Sequence, residues 1–190
     1  MHCHCELNET TKAYLDRFCI ILDDMIHGMT HRALTNSIAD NFIIQMIPHH
    51  RAAIEMSVNI LDYSNNMQIQ NIASNIITEQ TKSIEDMLNV QCVCSSIRNS
   101  QCHLEHYQNR FNTITAAMFE EMCNACTDNN LNANFIREMI PHHQGAVEMS
   151  GNVSQYIICP QLHPIIRSIT VSQTRGIARM ETLLASLTGR

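Results

Sequence analysis

Between Glu9 and Met29 the apolar residues fall at Tyr14, Phe18, Ile21, Leu22, Met25 and Met29, steps of three and four that place them on one helical face. The pattern continues in five further segments. It predicts a second helix from Ser37 to Tyr63, opened by the capping side chains of Thr35, Asn36 and Ser37, and a third from Met67 to Val90. The others run from Leu104 to Cys123, Asn132 to Tyr156 and Pro160 to Leu187. Alternating, strand-like runs are weak throughout, so the expected class is all-α.

These six segments are two copies of three. Tyr14, Arg17, Phe18, Met25 and Met29 recur 93 positions later as Tyr107, Arg110, Phe111, Met118 and Met122. Tyr63, Ile72, Ile76, Gln80, Thr81, Ile84 and Met87 recur as Tyr156, Ile165, Ile169, Gln173, Thr174, Ile177 and Met180. "MIPHHRAAIEMS" from Met46 returns as "MIPHHQGAVEMS" from Met139, and residues 42–57 and 135–150 are identical at 11 of 16 positions.

The chain is therefore read as a duplication, with repeats over 9–90 and 102–187 and a linker over 91–101. One repeat has two long helices, too few to enclose a core. Two repeats about a pseudo-twofold axis give four long antiparallel helices, a four-helix bundle, with two shorter helices added. A single intertwined domain over residues 1–190 is the expectation.

At about 100° per residue, with Met46 as the centre of its face, Phe42, Ile43, His49, His50, Ala53, Ser57, Ile60 and Leu61 lie within roughly 60° of it, and Met56 within roughly 80°. Both histidines thus sit on or beside the buried stripe, while Glu55 and its counterpart Glu148 point away. In the third helix Gln80, Ile84 and Met87 share a stripe with Ile69, Ala73, Ile76 and Ile77. A glutamine there needs a partner, and a histidine on the facing helix is the candidate. Pro48 and Pro141 are expected to kink their helices just before the His pairs, the competing reading being a proline in the first turn of a new helix.

Composition narrows the function. The formal net charge is −6 and the twelve Lys and Arg are scattered, which gives no basic footprint for nucleic acid or an anionic membrane. No apolar run is long enough to span a bilayer, and "MHCHCELNET" lacks the apolar core of a secretory signal. As written the protein is expected to be soluble and cytoplasmic, or exported if a leader has been cut away; a homo-oligomer is left open.

Met, His and Cys reach 12, 11 and 9, all soft or borderline metal ligands. Most of the cysteines fall in close groups (Cys3 with Cys5; Cys92 with Cys94 and Cys102; Cys123 with Cys126), so reduced thiols are expected rather than a disulfide framework.

A lone buried histidine is usually a hydrogen-bonded core residue, and a methionine stripe is usually packing. Four histidines turned into one interior are costly without partners, water or a cation. Each pair has a methionine one turn before and another two turns after, and thioether with imidazole selects a soft ion, Cu(I) or Ag(I). The predicted ligands are Met46, His49, His50, Met56, Met139, His142, His143 and Met149. Met25, Met29, Met118 and Met122 add four sulfurs, and Gln80, Met87, Gln173 and Met180 stand behind the ligands as supports.

A carboxylate-bridged di-iron centre needs inward glutamates and Glu-x-x-His pairs, which Glu55 does not supply. No hydrolase signature appears. "HCHC" near the N-terminus and "CNAC" at Cys123 are candidate sites for zinc or Cu(I). Binding without turnover is the leading expectation. A helical scaffold with a structural His network comes second, and a metal-dependent oxidoreductase third.

The repeated Phe-Ile-x-x-Met-Ile-Pro-His-His-x-x-Ala-x-Glu-Met, followed by Gln-x-x-x-Ile-x-x-Met, resembles the bacterial family called domain of unknown function 305 over nearly the whole chain. The resemblance implies a ferritin-like four-helix bundle and, for some members, copper and silver binding in metal resistance, often after export. It maps the ligands onto the same eight His and Met residues and makes Met25, Met29, Met118 and Met122 similar to a Met-rich approach segment. The chain departs from the family in having Asn41 and Asn134 where an Asp is common, and in its Cys clusters.

Overall fold

The computed structural model describes residues 6–189, which form six α-helices: α1 (Glu9–Thr30), α2 (Ile38–Leu61), α3 (Met67–Cys94), α4 (Gln101–Cys123), α5 (Leu131–Val153) and α6 (Leu162–Thr188). Side-chain caps open five of them. Asn8, Ser37, Asn66, Ser100 and Asn130 each accept from a backbone N–H of the first turn, satisfying donors that the helix itself cannot. Between α1 and α2, Asn41 accepts from the Thr35 N–H and donates to the Thr35 carbonyl; Asn134 does the same to Asp128 in the second repeat. The donated half of that clasp requires an amide, which an aspartate lacks.

Helices α2, α3, α6 and α5 contact one another in a closed ring, with α1 on the outside of α2 and α4 on the outside of α5. The duplicated sequence thus gives a duplicated packing pattern. Tyr14 donates to Glu138 at 2.6 Å and Tyr107 to Gln45 at 3.0 Å, so each repeat's first helix reaches into the other repeat. Asn59 and Asn152 donate to the backbone carbonyls of those same tyrosines, both at 3.1 Å.

Three expectations meet the structure. The two additional helices are the shorter ones by a small margin, α4 being level with α5: α1 has 22 residues and α4 has 23, against 24, 28, 23 and 27 for α2, α3, α5 and α6. The buried stripe of α1, Tyr14, Phe18, Ile21, Leu22, Met25 and Met29, runs most of its length. Next, Pro48 and Pro141 lie inside continuous helices, which removes the first-turn reading.

The third expectation concerns sulfur chemistry. Helix α3 runs on to Cys94, four residues past the expected end, and there Cys94 forms a disulfide with Cys159, with Cα atoms 5.1 Å apart. Both cysteines are fully buried. The expectation of reduced thiols fails at this one pair, which joins residues 65 apart in sequence rather than members of a cluster, whereas Cys19, Cys92, Cys102 and Cys123 form no disulfide among the described residues. The pairing also removes Cys94 from the Cys92 and Cys102 group. Cys3 and Cys5 lie outside the described residues. No helix among the described residues is long and apolar enough to cross a membrane.

Candidate metal centre

Helices α2 and α5 cross at the two His pairs. His49, His50 and His142 are 0% exposed and His143 is 2% exposed. The imidazoles of His49 and His142 stack with centroids 3.7 Å apart, and the adjacent rings follow at 5.8 Å (His49 to His50) and 5.9 Å (His142 to His143). His49 Nε2 lies 3.1 Å from the His142 carbonyl oxygen, and His142 Nε2 lies 3.0 Å from the His49 carbonyl oxygen.

A carbonyl oxygen only accepts, so both Nε2 atoms carry the proton and both Nδ1 atoms are bare lone pairs. The Nδ1 atoms of all four histidines are buried with no hydrogen-bond partner among the described residues. Such groups are costly to leave unpaired. Burial also keeps the rings neutral: the pKa of His50 is pushed down to about 3 by desolvation and then by His142, and that of His142 to about 4 by desolvation. Desolvation and the neighbouring rings hold His49 and His143 well below the usual histidine range.

The two outer rings are supported differently. His50 Nε2 is hydrogen-bonded to the Ser83 hydroxyl at 3.0 Å. In the second repeat the matching residue is Gly176, where a Cβ would come within 2.9 Å of the His143 ring. The glycine is needed because the ring occupies the space a side chain would take. Gln80 and Gln173 do not serve as the expected histidine partners: both amide atoms of Gln80, and Oε1 of Gln173, have no partner among the described residues.

Met46, Met56, Met139 and Met149 are buried in the same apolar core as Met25, Met29, Met118, Met122, Met87 and Met180. Met118 packs on Gly145 of α5, leaving no room for a Cβ there. Glu55 and Glu148 face solvent beside Arg17 and Arg110, as their helical phase requires.

One buried acid escaped the sequence reading. Glu138 on α5 is 1% exposed, accepts from Tyr14 through Oε2, and has no partner at Oε1 among the described residues. Desolvation raises its pKa to about 8, against the smaller opposing effects of Tyr14 and Arg137, so it is largely neutral at pH 7. Its counterpart is Gln45. The available signal was divergence between the repeats: Gln45 against Glu138 lies where each repeat's tyrosine reaches across, and Ser83 against Gly176 lies beside the outer rings.

Among the described residues no three His, Cys, Asp or Glu side chains converge as a preformed ligand set. The buried donors at the crossing are imidazole nitrogens, and methionine sulfurs lie in the same core.

None of the curated proteins compared matches the chain. Solved structures do. A crystal structure of a DUF305 fragment from Deinococcus radiodurans is 23% identical, with a TM-score of 0.57 over 81% of this chain and 99% of the fragment. CopM in a silver-bound form obtained by soaking is 26% identical, with a TM-score of 0.58 over 78% of this chain and 95% of CopM. CopM in a Cu(II)-bound form is 27% identical, with a TM-score of 0.58 over 78% of this chain and 97% of CopM. The family model described as "Domain of unknown function (DUF305)" matches residues 24–91 and 39–184, and by that match this chain belongs to the DUF305 family.

Proposed function

We propose that the protein binds Cu(I) or Ag(I) where α2 and α5 cross, and does so to buffer or sequester the ion rather than to turn over a substrate. The observation that carries this reading is the set of four buried, unpartnered Nδ1 atoms, two with their tautomer fixed by a carbonyl. His49, His50, His142 and His143 are the nitrogen donors, with Met46, Met56, Met139 and Met149 as sulfur donors. Met25, Met29, Met118 and Met122 extend the sulfur-rich lining. Gln80, Met87, Gln173 and Met180 support it. The likeness to silver- and Cu(II)-bound CopM supports the choice of metal.

In this reading the ring of α2, α3, α6 and α5 is a ferritin-like four-helix bundle whose two repeats act as one unit, because donors from both repeats meet at one seam. Competition with a chromophoric Cu(I) chelator tests the proposal. A His49→Ala, His142→Ala double variant is expected to lose at least tenfold in affinity; unchanged affinity in a folded variant would remove the seam as the site.

The reciprocal His49 and His142 hydrogen bonds favour a second reading, a scaffold in which the rings only tie α2 to α5. Thermal melts separate the two. A native-state ligand at a hundred times its dissociation constant stabilises by about 2.7 kcal/mol, whereas a pure scaffold melts at the same temperature with or without metal.

A further inference from the structure

Of the openings between α3 and α6, two reach the buried histidines and are related by the repeat; a third, of about 640 Å³, adjoins the smaller of them and shares Asn75 and Arg179 with it. The larger of the repeat-related two, of about 290 Å³, reaches His50 past Ser83 and Ser168. The smaller, of about 30 Å³, reaches His143 past Gly176 and Asn75. Ser83 matches Gly176 and Ser168 matches Asn75 at the offset of 93, so these are the same opening in two copies. The first has about ten times the volume of the second, although both can hold a water-sized ion.

Their charges differ too. The His50 mouth carries Glu79 and Asp86 with Lys82 and Arg175, and Lys82 is paired with Asp86 at 2.8 Å. The His143 mouth carries Glu79 with Arg175 and Arg179, because Arg179 takes the place of Asp86. Balanced charge meets a cation at the first mouth, and net positive charge meets it at the second.

The wide cavity also contains what a passing cation needs. It is lined by Gln80 and Gln173, respectively 1% and 3% exposed, each with an unpartnered amide oxygen, and by the Ser83 hydroxyl that rests on His50. Oxygen donors hold soft ions weakly, whereas imidazole and thioether hold them well. A path lined by oxygen that ends at imidazole nitrogen passes the ion inward without trapping it on the way.

We propose that the soft ion reaches the buried histidines through the opening beside His50, with Gln80, Gln173 and Ser83 lining the path, in preference to the narrower, net positive opening beside His143. This rests on the metal-binding reading above. The two exposed, repeat-related positions provide matched variants: Ser168→Phe to obstruct the wide mouth and Asn75→Phe to obstruct the narrow one.

Stopped-flow transfer of Cu(I) from a chromophoric chelator reads the rate, and equilibrium competition reads the affinity. Ser168→Phe is expected to slow uptake at least tenfold with affinity unchanged, while Asn75→Phe behaves as the parent. As a second measure, Asp86→Asn leaves Lys82 unpaired and is expected to slow uptake several-fold at low salt, with the effect fading at high salt. Equal rates for all proteins, or slowing by Asn75→Phe, would overturn the path while leaving the site intact. Absence of Cu(I) binding by the parent at equilibrium would overturn both.

Discussion

His49 and His142 each donate a ring proton to the other's backbone carbonyl, at 3.1 and 3.0 Å, while their rings stack at 3.7 Å. The exchange leaves both Nδ1 lone pairs deprotonated before any ligand arrives. Metal binding by most histidine sites weakens in acid because protons compete for the ring. Here His50 and His142, at about 3 and 4, are already neutral far below pH 7. Cu(I) affinity is therefore expected to stay within about threefold between pH 5.5 and 8 in the folded protein. Chelator competition at several pH values checks this, and a tenfold fall per unit below pH 6.5 would show that the donor rings take up protons as ordinary histidines do.

The same burial makes the fold sensitive to acid. Unfolded histidines take up protons below their ordinary pKa of 6.5, and the folded ones refuse them until much lower pH. The contribution to stability is complete above about pH 6.5 and is lost as pH falls towards 4. Each ring costs about 1.4 kcal/mol per unit across that window. The melting temperature of the metal-free protein should drop steeply between pH 6.5 and 4.5, and His142→Gln should shallow that slope.

Glu138 acts in the opposite sense. Its folded pKa is about 8 against an ordinary 4.5, so its contribution is fully present below about pH 4.5 and is lost as pH rises through 8. Glu138→Gln, which copies Gln45, removes that dependence. In urea melts the variant should gain on the parent by about 1.4 kcal/mol per unit between pH 5 and 8. Parallel profiles would mean that Glu138 does not hold its proton in the folded state.

The disulfide closes a loop between residues 65 apart in sequence and ties the end of α3 to the segment before α6. Chain-entropy reasoning for a loop of that length gives about 4 kcal/mol. A Cys94→Ser, Cys159→Ser variant, or the reduced protein, should lose a stability of that order in denaturant melts. Equal midpoints with and without reductant would show that the crosslink is not formed in solution.

Helix periodicity made the six helices legible, and the offset of 93 made their duplication legible. The inward phase of His49, His50, His142 and His143 followed from 100° steps alone. What escaped depended on distance in sequence. Cys94 meets Cys159 only because α3 runs past its expected end, and Gln80 gives way to Ser83 at His50 because the register between α2 and α3 is a tertiary fact. Glu138 was legible only as a mismatch with Gln45, and the two repeats read more informatively by their differences than by their identities at that point.

Because each stacked imidazole hangs its proton on the other strand of the crossing, α2 and α5 cannot slide past each other without losing both links together. The pair acts as a registration pin. A slip of one residue in either helix would swing its two rings about 100° off the seam and bring neighbouring side chains into their place. Axial alignment of the two helices and readiness of the lone pairs are thus set by a single mutual contact.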